Sequence, residues 1–336
     1  MRLIKYIGLI LIISSCENLL NQDELYPSQR EVFQYYWDDF DQYYVGFEQR
    51  GVNWDSVYIS SMQRIDSGLS QDQFFDLLKS ITLNFEDIHV ALVGGNESVF
   101  FTPVTLGRRR VKELDRSIND LNKVGDLLEH TIIASDIAYL RVPSFSGRFD
   151  VSEFTVVDDI IPDWNNQTQG LILDLRLNGG GEYSNGKALA SRFIDHELLY
   201  ARHNKRNGSD HGDFTEYFQD VLAPDGEEAY LKPIVLLTNG LTGSAAELFA
   251  QALRCRERVL IVGEPTSGGL GINNWRELPN GWNHRITMTL VEDCQGSIHE
   301  GVGITPDFFD TISYADSTAN VDSQLRAAVS LIKQGF

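Results

Sequence analysis

The stretch PIVLLTNGLTGSAAELFAQALR at 233–254 constrains this chain more than any other. Ile234 to Leu237 is an apolar run of the kind that forms a fully buried strand. Asn, Gly and Thr residues then make a turn. Ser244 stands at the threshold of a helix whose residues Ala245, Leu248, Phe249 and Ala252 fall on one face. A serine at a strand–turn–helix junction can be lifted out of a core and held beside free backbone N–H groups. The same Ser244-x-x-Glu247 spacing is also a capping box, in which both side chains satisfy orphan amides at the helix start. Taken alone, the segment suits either role.

The alternation continues on both sides of it. Strands are expected at Ile137–Val142, Leu171–Leu175, Val259–Val262 and Ile286–Val291. Helices are expected at Phe154–Ile161, Gly186–Ile194 and Val321–Ile332. This order predicts an α/β core with a largely parallel central sheet flanked by helices. The N-terminal part differs. Phe33, Tyr36, Trp37, Phe40 and Tyr43 recur at three- and four-residue spacing, the core face of a packed helix rather than a cofactor box. Two further helices follow, over 55–66 and from Ser70, the latter with Phe74, Phe75, Leu77 and Leu78 inward. The expected division is a helical domain at 28–95, a connecting segment at 96–132 and a core domain at 133–333.

The first residues read as a targeting signal. Arg2 and Lys5 precede an apolar run, Ile7 to Ile13, too short to span a bilayer. Ser14-Ser15-Cys16 resembles the lipobox of bacterial lipoproteins, which implies removal of residues 1–15 and a lipid on Cys16. A polar tether at 16–27 would follow, and the membrane would be met only through that lipid. The expected location is extracytoplasmic. With 28 basic and 48 acidic residues the formal charge is −20. Such a balance argues against nucleic acid or an anionic membrane surface as a partner. Beyond Cys16 only Cys255 and Cys294 remain. Two cysteines make neither a disulfide scaffold nor a recognised zinc spacing, and the sequence leaves open whether they pair.

Glycines after a strand let backbone N–H groups approach a bound anion closely. LDLRLNGGGE at 173–182 lacks both the dinucleotide fingerprint and the Lys-Ser/Thr of a P-loop. An oxyanion pocket or a plain tight turn remains. His203 and His211, with Asp210 and Asp213, lie in a polar stretch without a known ligand spacing and read as a mobile loop. Lys187 is expected to face solvent, and the GRRR run at 107–110 reads as a solvated loop.

Three ordered segments, DLRLNGGGE, TGSAAELFAQAL and VGEPTSGG, resemble the C-terminal processing (tail-specific) serine proteases and their tricorn-protease-like relatives. IAYLRVPSF at 137–145 and EGVGITPD at 300–307 extend the likeness. The resemblance covers roughly 133–333. It implies a crotonase/ClpP-like core and a serine peptidase acting on peptide or unfolded protein, with no metal or organic cofactor. Ser244 matches the nucleophile. The tail-specific branch takes its base from a lysine in a G-K-G segment, but here that position is Gly269, and no lysine occurs from 233 to 331. The tricorn-like branch uses a histidine, and His89 in Glu86-Asp87-Ile88-His89 matches it, with Ile88 where the tricorn protease has a serine. A neutral imidazole suits proton abstraction near neutral pH. Glu300 matches the supporting glutamate, whereas the adjacent His299 does not match the base. The backbone N–H groups of Gly180 or Gly181 and of Ala245 would hold the oxyanion. About forty residues at 95–132 are too few for the PDZ domain of the tail-specific branch. Two other readings share the scaffold: a ligand-binding protein resembling the interphotoreceptor retinoid-binding repeats, and a crotonase-type acyl-CoA enzyme, which the acidic charge and export signal disfavour.

Overall fold

The computed structural model describes residues 26–103, 118 and 121–336. The leader, Cys16, most of the tether and the GRRR run lie outside the described residues. Fourteen strands form three sheets among these residues. The central sheet contains β3 (Asn122–Val124), β4 (Leu128–Ile133), β5 (Ile137–Arg141), β6 (Gly170–Asp174), β9 (Ile234–Thr238), β10 (Val259–Gly263) and β14 (Phe308–Phe309). Its spatial order is β14-β10-β9-β6-β5-β4-β3. The run from β14 to β5 is parallel, while β4 and β3 join antiparallel.

The apolar runs of the central strands follow from burial on both faces. Ala138, Leu140, Leu171, Leu173, Ile234, Leu236 and Ile261 share one core with the helix Ala245–Arg254. The alternate residues Ile137, Tyr139, Ile172, Val235, Leu237 and Val262 pack on the C-terminal helix Ser323–Gln334. The helix that follows Ser244 buries every residue from Ala245 to Leu253.

The N-terminal helices Gln29–Tyr43, Trp54–Asp66 and Gln71–Asn84 start at side-chain caps from Ser28, Asn53 and Ser70. Their aromatic core includes Phe33, Tyr36, Phe40, Trp54 and Phe85. It is closed by a four-stranded sheet of order β11-β12-β1-β2. Here β1 is Ala91–Gly94, β2 is Glu97–Phe100, β11 is Asn273–Glu277 and β12 is Asn283–Thr287. Two of these strands therefore come from the segment assigned to the core domain, and the helical and core units interleave. A third sheet, of order β13-β7-β8, joins Leu290–Asp293, Leu198–Asn204 and Phe218–Leu222.

Three elements depart from expectation. The strand expected over 286–291 is two strands in different sheets, β12 and β13, separated at Met288-Thr289. The helix expected over 154–161 is broken into a turn at Ser152–Thr155, a tight 3-10 turn at Val156–Asp159 and a helix at Ile161–Gln167. Pro162 falls in the first turn of that last helix, where its missing N–H costs nothing. The helix expected over 186–194 begins earlier, at Tyr183, and passes into a 3-10 turn after Ala190.

Cys255 and Cys294 form a disulfide across a sequence separation of 39. It ties the end of the Ser244 helix to the turn before Glu300. Closing a loop of this size stabilises by about 2–4 kcal/mol through the unfolded chain. The Cys294→Ser variant is therefore expected to lose stability of about that size in urea unfolding. Reducing agent should lower the wild type to the same level.

Candidate active site

The turn before Ser244 is clamped to the glycine-rich loop. Gly243 N–H donates to the Asn178 carbonyl (3.0 Å) and Thr242 Oγ1 to the Leu175 carbonyl (3.0 Å). Ser244 itself adopts φ +53°, ψ −123°, a backbone that side chains other than glycine rarely take. Glu247 holds it there. This fully buried carboxylate accepts hydrogen bonds from Ser244 N–H (2.9 Å), Thr266 Oγ1 (2.6 Å), Gly268 N–H (2.7 Å) and Gly269 N–H (3.0 Å). Ser244 thus starts the helix through its backbone, its carbonyl accepting the Glu247 N–H at 2.8 Å, while its half-buried hydroxyl faces His89.

His89 reaches the hydroxyl from the other side of the cleft. Its Nε2 lies 2.9 Å from Ser244 Oγ, although 155 residues separate the two. The segment that carries it is fixed locally. Glu86 is left-handed at φ +51°, and Asp87 Oδ1 accepts the His89 N–H at 2.7 Å. Arg285 then donates to the carbonyls of His89 (2.7 Å) and Ile88 (2.9 Å). Burial holds the His89 ring down at about 4, against its ordinary 6.5; Asp87 opposes this, and Arg285 and Arg50 reinforce it. The imidazole is therefore neutral at neutral pH and can accept a proton. Because the unfolded chain takes up that proton first as pH falls, this group contributes its stability in full above 6.5 and loses it towards 4.

Glu300 does not hydrogen-bond to His89. Its Oε2 accepts the N–H groups of Leu270 and Gly271 (3.0 Å each), and its Oε1 faces Arg50 Nη2 at 3.3 Å. It can reach the base only through the field it sets up and through the Gly271 peptide, whose carbonyl favours the protonated ring. No described residue gives His89 Nδ1 a hydrogen bond of proper geometry. Burial, together with the charge of Asp87, pushes Glu300 up to about 8.

Of the expected oxyanion donors, Gly180 is excluded on geometry, since its N–H donates to Asn178 Oδ1 at 2.9 Å. The N–H groups of Gly181 and Ala245 donate to no described residue. Glycine is nevertheless required at 180: with φ +96°, an added Cβ would lie 2.7 Å from Ser244 Cβ and 2.9 Å from Ala245 N.

Two clefts meet at Ser244. One, of about 440 Å³, runs past Ala245, Leu248, Leu270 and Phe218 to Asp220. The other, of about 510 Å³, passes His89, Gly243, Ser267 and Arg285. Gly181, Glu182, Ser244 and Asn273 line both of them. His203 is buried on the strand Leu198–Asn204, lines the first of these clefts and stacks on Phe218 at 4.9 Å, whereas His211 stacks on Phe47 at 4.1 Å and bonds Asp41 at 2.9 Å. His299 bonds Asp293 at 2.9 Å. Lys187 does not face open solvent, since its Nζ pairs with Asp220 at 2.9 Å.

Residues 136–309, just over half of the chain, match peptidase family S41. The chain belongs to that family. A carboxyl-terminal-processing protease of Synechocystis sp. is 30% identical over 226 residues, 66% of this chain and 50% of the relative. This S41 chain thus spans about half the length of the curated relatives it matches. Among solved structures, a candidate peptidase from Parabacteroides merdae superposes with a TM-score of 0.81 at 27% identity, covering 91% of this chain and 97% of that one. Mature CPAF superposes with a TM-score of 0.70 at 13% identity, covering 91% and 97%, and so shares the fold.

Gly269 explains why this S41 chain has no lysine there. A Cβ at 269 would sit 2.4 Å from Ile88 Cγ1 and 3.8 Å from His89 Nδ1. The segment carrying the imidazole fills the space a lysine stem would need. Sequence reasoning missed Arg50, Asp87 and Arg285, which lie in segments without a spacing signal. The Gly269→Ala variant is expected to push Ile88 and His89 aside and to lower kcat/KM by about 10²-fold, the cost of a displacement near 1 Å. Its KM and thermal unfolding should change little by comparison.

Proposed function

We propose that this S41 chain is a serine peptidase that hydrolyses peptides or unfolded proteins outside the cytoplasm. The observation that carries the reading is the 2.9 Å contact between His89 Nε2 and Ser244 Oγ, made by a neutral buried imidazole and a serine held out of the helix. Ser244 Oγ attacks the scissile carbonyl carbon while His89 Nε2 takes its proton. The carbonyl oxygen becomes an oxyanion held by the N–H groups of Gly181 and Ala245. The imidazolium then returns the proton to the leaving amine as the C–N bond breaks, leaving an acyl-Ser244 ester. Water, deprotonated by His89, releases the acid and restores the serine.

Asp87 is the nearest charge that favours the imidazolium, and it also fixes the His89 backbone. Glu300 supports the base at one remove, through the Gly271 peptide. A location outside the cytoplasm is supported by the Cys255–Cys294 disulfide, which persists in oxidising compartments. The leader ending at Ser14-Ser15-Cys16 adds an anchor by lipid on Cys16.

Ser244→Ala should abolish both hydrolysis of an unfolded casein-like protein and covalent labelling by a fluorophosphonate. A variant that still labels would remove Ser244 from the nucleophile role. For the anchor, the wild-type chain expressed with its leader should partition into detergent, and Cys16→Ser into the aqueous phase. Identical partitioning of the two would exclude lipid at that position.

A further inference from the structure

Arg50 takes no part in the chemistry above, yet its side chain is only 6% exposed and sits beneath the catalytic base. It belongs to the short helix Phe47–Arg50, which ends at left-handed Gly51. From there its guanidinium reaches four groups on three segments. Nη1 donates to the Glu86 carbonyl, and Nη2 donates to the Gly268 carbonyl (2.7 Å). The same nitrogen faces Glu300 Oε1 at 3.3 Å and Asp87 Oδ1 at 3.9 Å. The EGVG segment makes room for it: a Cβ at Gly301 would lie 3.1 Å from the Gln49 carbonyl and 3.4 Å from Arg50 Cδ.

The charges around the site make this placement consequential. Asp87 and Glu300 are both buried, and Arg50 stands between them. Tyr44 donates to Asp87 Oδ2 and faces the same guanidinium. Glu247 adds a further negative charge near Glu300, while Arg285 lies on the other side of the His89 backbone. Leaving the buried carboxylate of Asp87 without its cation is costly, and a carboxylate beside an imidazole favours the protonated ring.

We infer that Arg50 is a positioning residue of the catalytic centre, a counter-cation supplied by the N-terminal helical segment that fixes Asp87 and Glu300 around His89 and sets the charge against which the base works. The inference rests on the assignment of His89 as the base for Ser244. It also means that the region matching the family, 136–309, does not complete the site by itself, because both the base and its cation precede it.

The test compares the full-length wild type with Arg50→Gln, Arg50→Met and Arg50→Lys. The readouts are the second-order rate of fluorophosphonate labelling and kcat/KM on a peptide, each followed against pH. Both report only folded, active molecules, so the midpoint of the acid limb is independent of how much protein folds. The wild-type midpoint is expected near the value of about 4 set by burial of His89. Arg50→Lys keeps the charge but lacks the fork, and should hold that midpoint while losing about tenfold in rate. Arg50→Gln removes the charge and should raise the midpoint by about one unit. Arg50→Met, which keeps the stem without a buried amide, answers the same question if the glutamine variant fails to fold. An unmoved midpoint in the neutral variants, or an equal shift in the lysine variant, would overturn the inference and leave the Ser244–His89 reading standing. A wild type that neither labels nor cleaves would remove that reading, and the role of Arg50 with it.

Discussion

The carboxylate of Glu247 is the point on which the geometry of the site depends. It is buried, so its charge is tolerable only because four donors converge on it. One donor is the N–H of Ser244, which pins the strained turn at the start of the helix. The other three come from Thr266, Gly268 and Gly269, the segment that passes behind Ile88. A single side chain thereby couples the position of the hydroxyl to the wall against which the base-bearing segment packs. Burial raises its proton affinity above the ordinary carboxyl value, and the four hydrogen bonds offset only part of that rise. The ionised form accepts all four donors, whereas a protonated acid would have to present its own hydrogen to one of them.

That coupling also bears on position 269, where the family likeness places a lysine and this chain has glycine. The lysine of the tail-specific branch would have to start at position 269, where the chain instead presses its backbone onto Ile88. The position of His89 therefore depends on tertiary packing. The Asp87 turn and the two Arg285 hydrogen bonds fix the backbone that carries it.

The sequence made the reacting atoms legible more readily than their setting. Ser244 was marked locally by a buried strand, small residues and a helix start, a pattern that suits a cap as well as a nucleophile, and the family likeness favoured the second. His89 and Glu300 emerged only through ordered likeness to a family, since no local periodicity marks them. The bond from Gly180 N–H to Asn178 could not be read, because which of three successive glycine amides is free depends on a side chain two residues away. The split between β12 and β13 was hidden for a related reason: RITMTLV keeps one apolar pattern while its strands enter two sheets. Arg50 was invisible because its partners lie at 86, 268 and 300, and nothing in FEQRG distinguishes a buried arginine from a surface one.

The electrostatics of the centre follow from that assembly. Asp87, Glu247 and Glu300 bring three buried carboxyl groups close to one neutral imidazole, with Arg50 and Arg285 as the nearby cations. Removing one partner of a buried pair typically costs about 3–5 kcal/mol, so such a cluster is stable only when all its segments are docked together. The helices of residues 28–95 are therefore more than a covering for the sheet. The short helix Phe47–Arg50 carries Arg50, the turn after Gln71–Asn84 carries Asp87 and His89, and the helices share a core with strands taken from 273–287. Undocking this unit would separate His89 from Ser244 and Arg50 from Glu300 in the same motion. Docking of the N-terminal unit and formation of the His89–Ser244 contact are, on this geometry, one event.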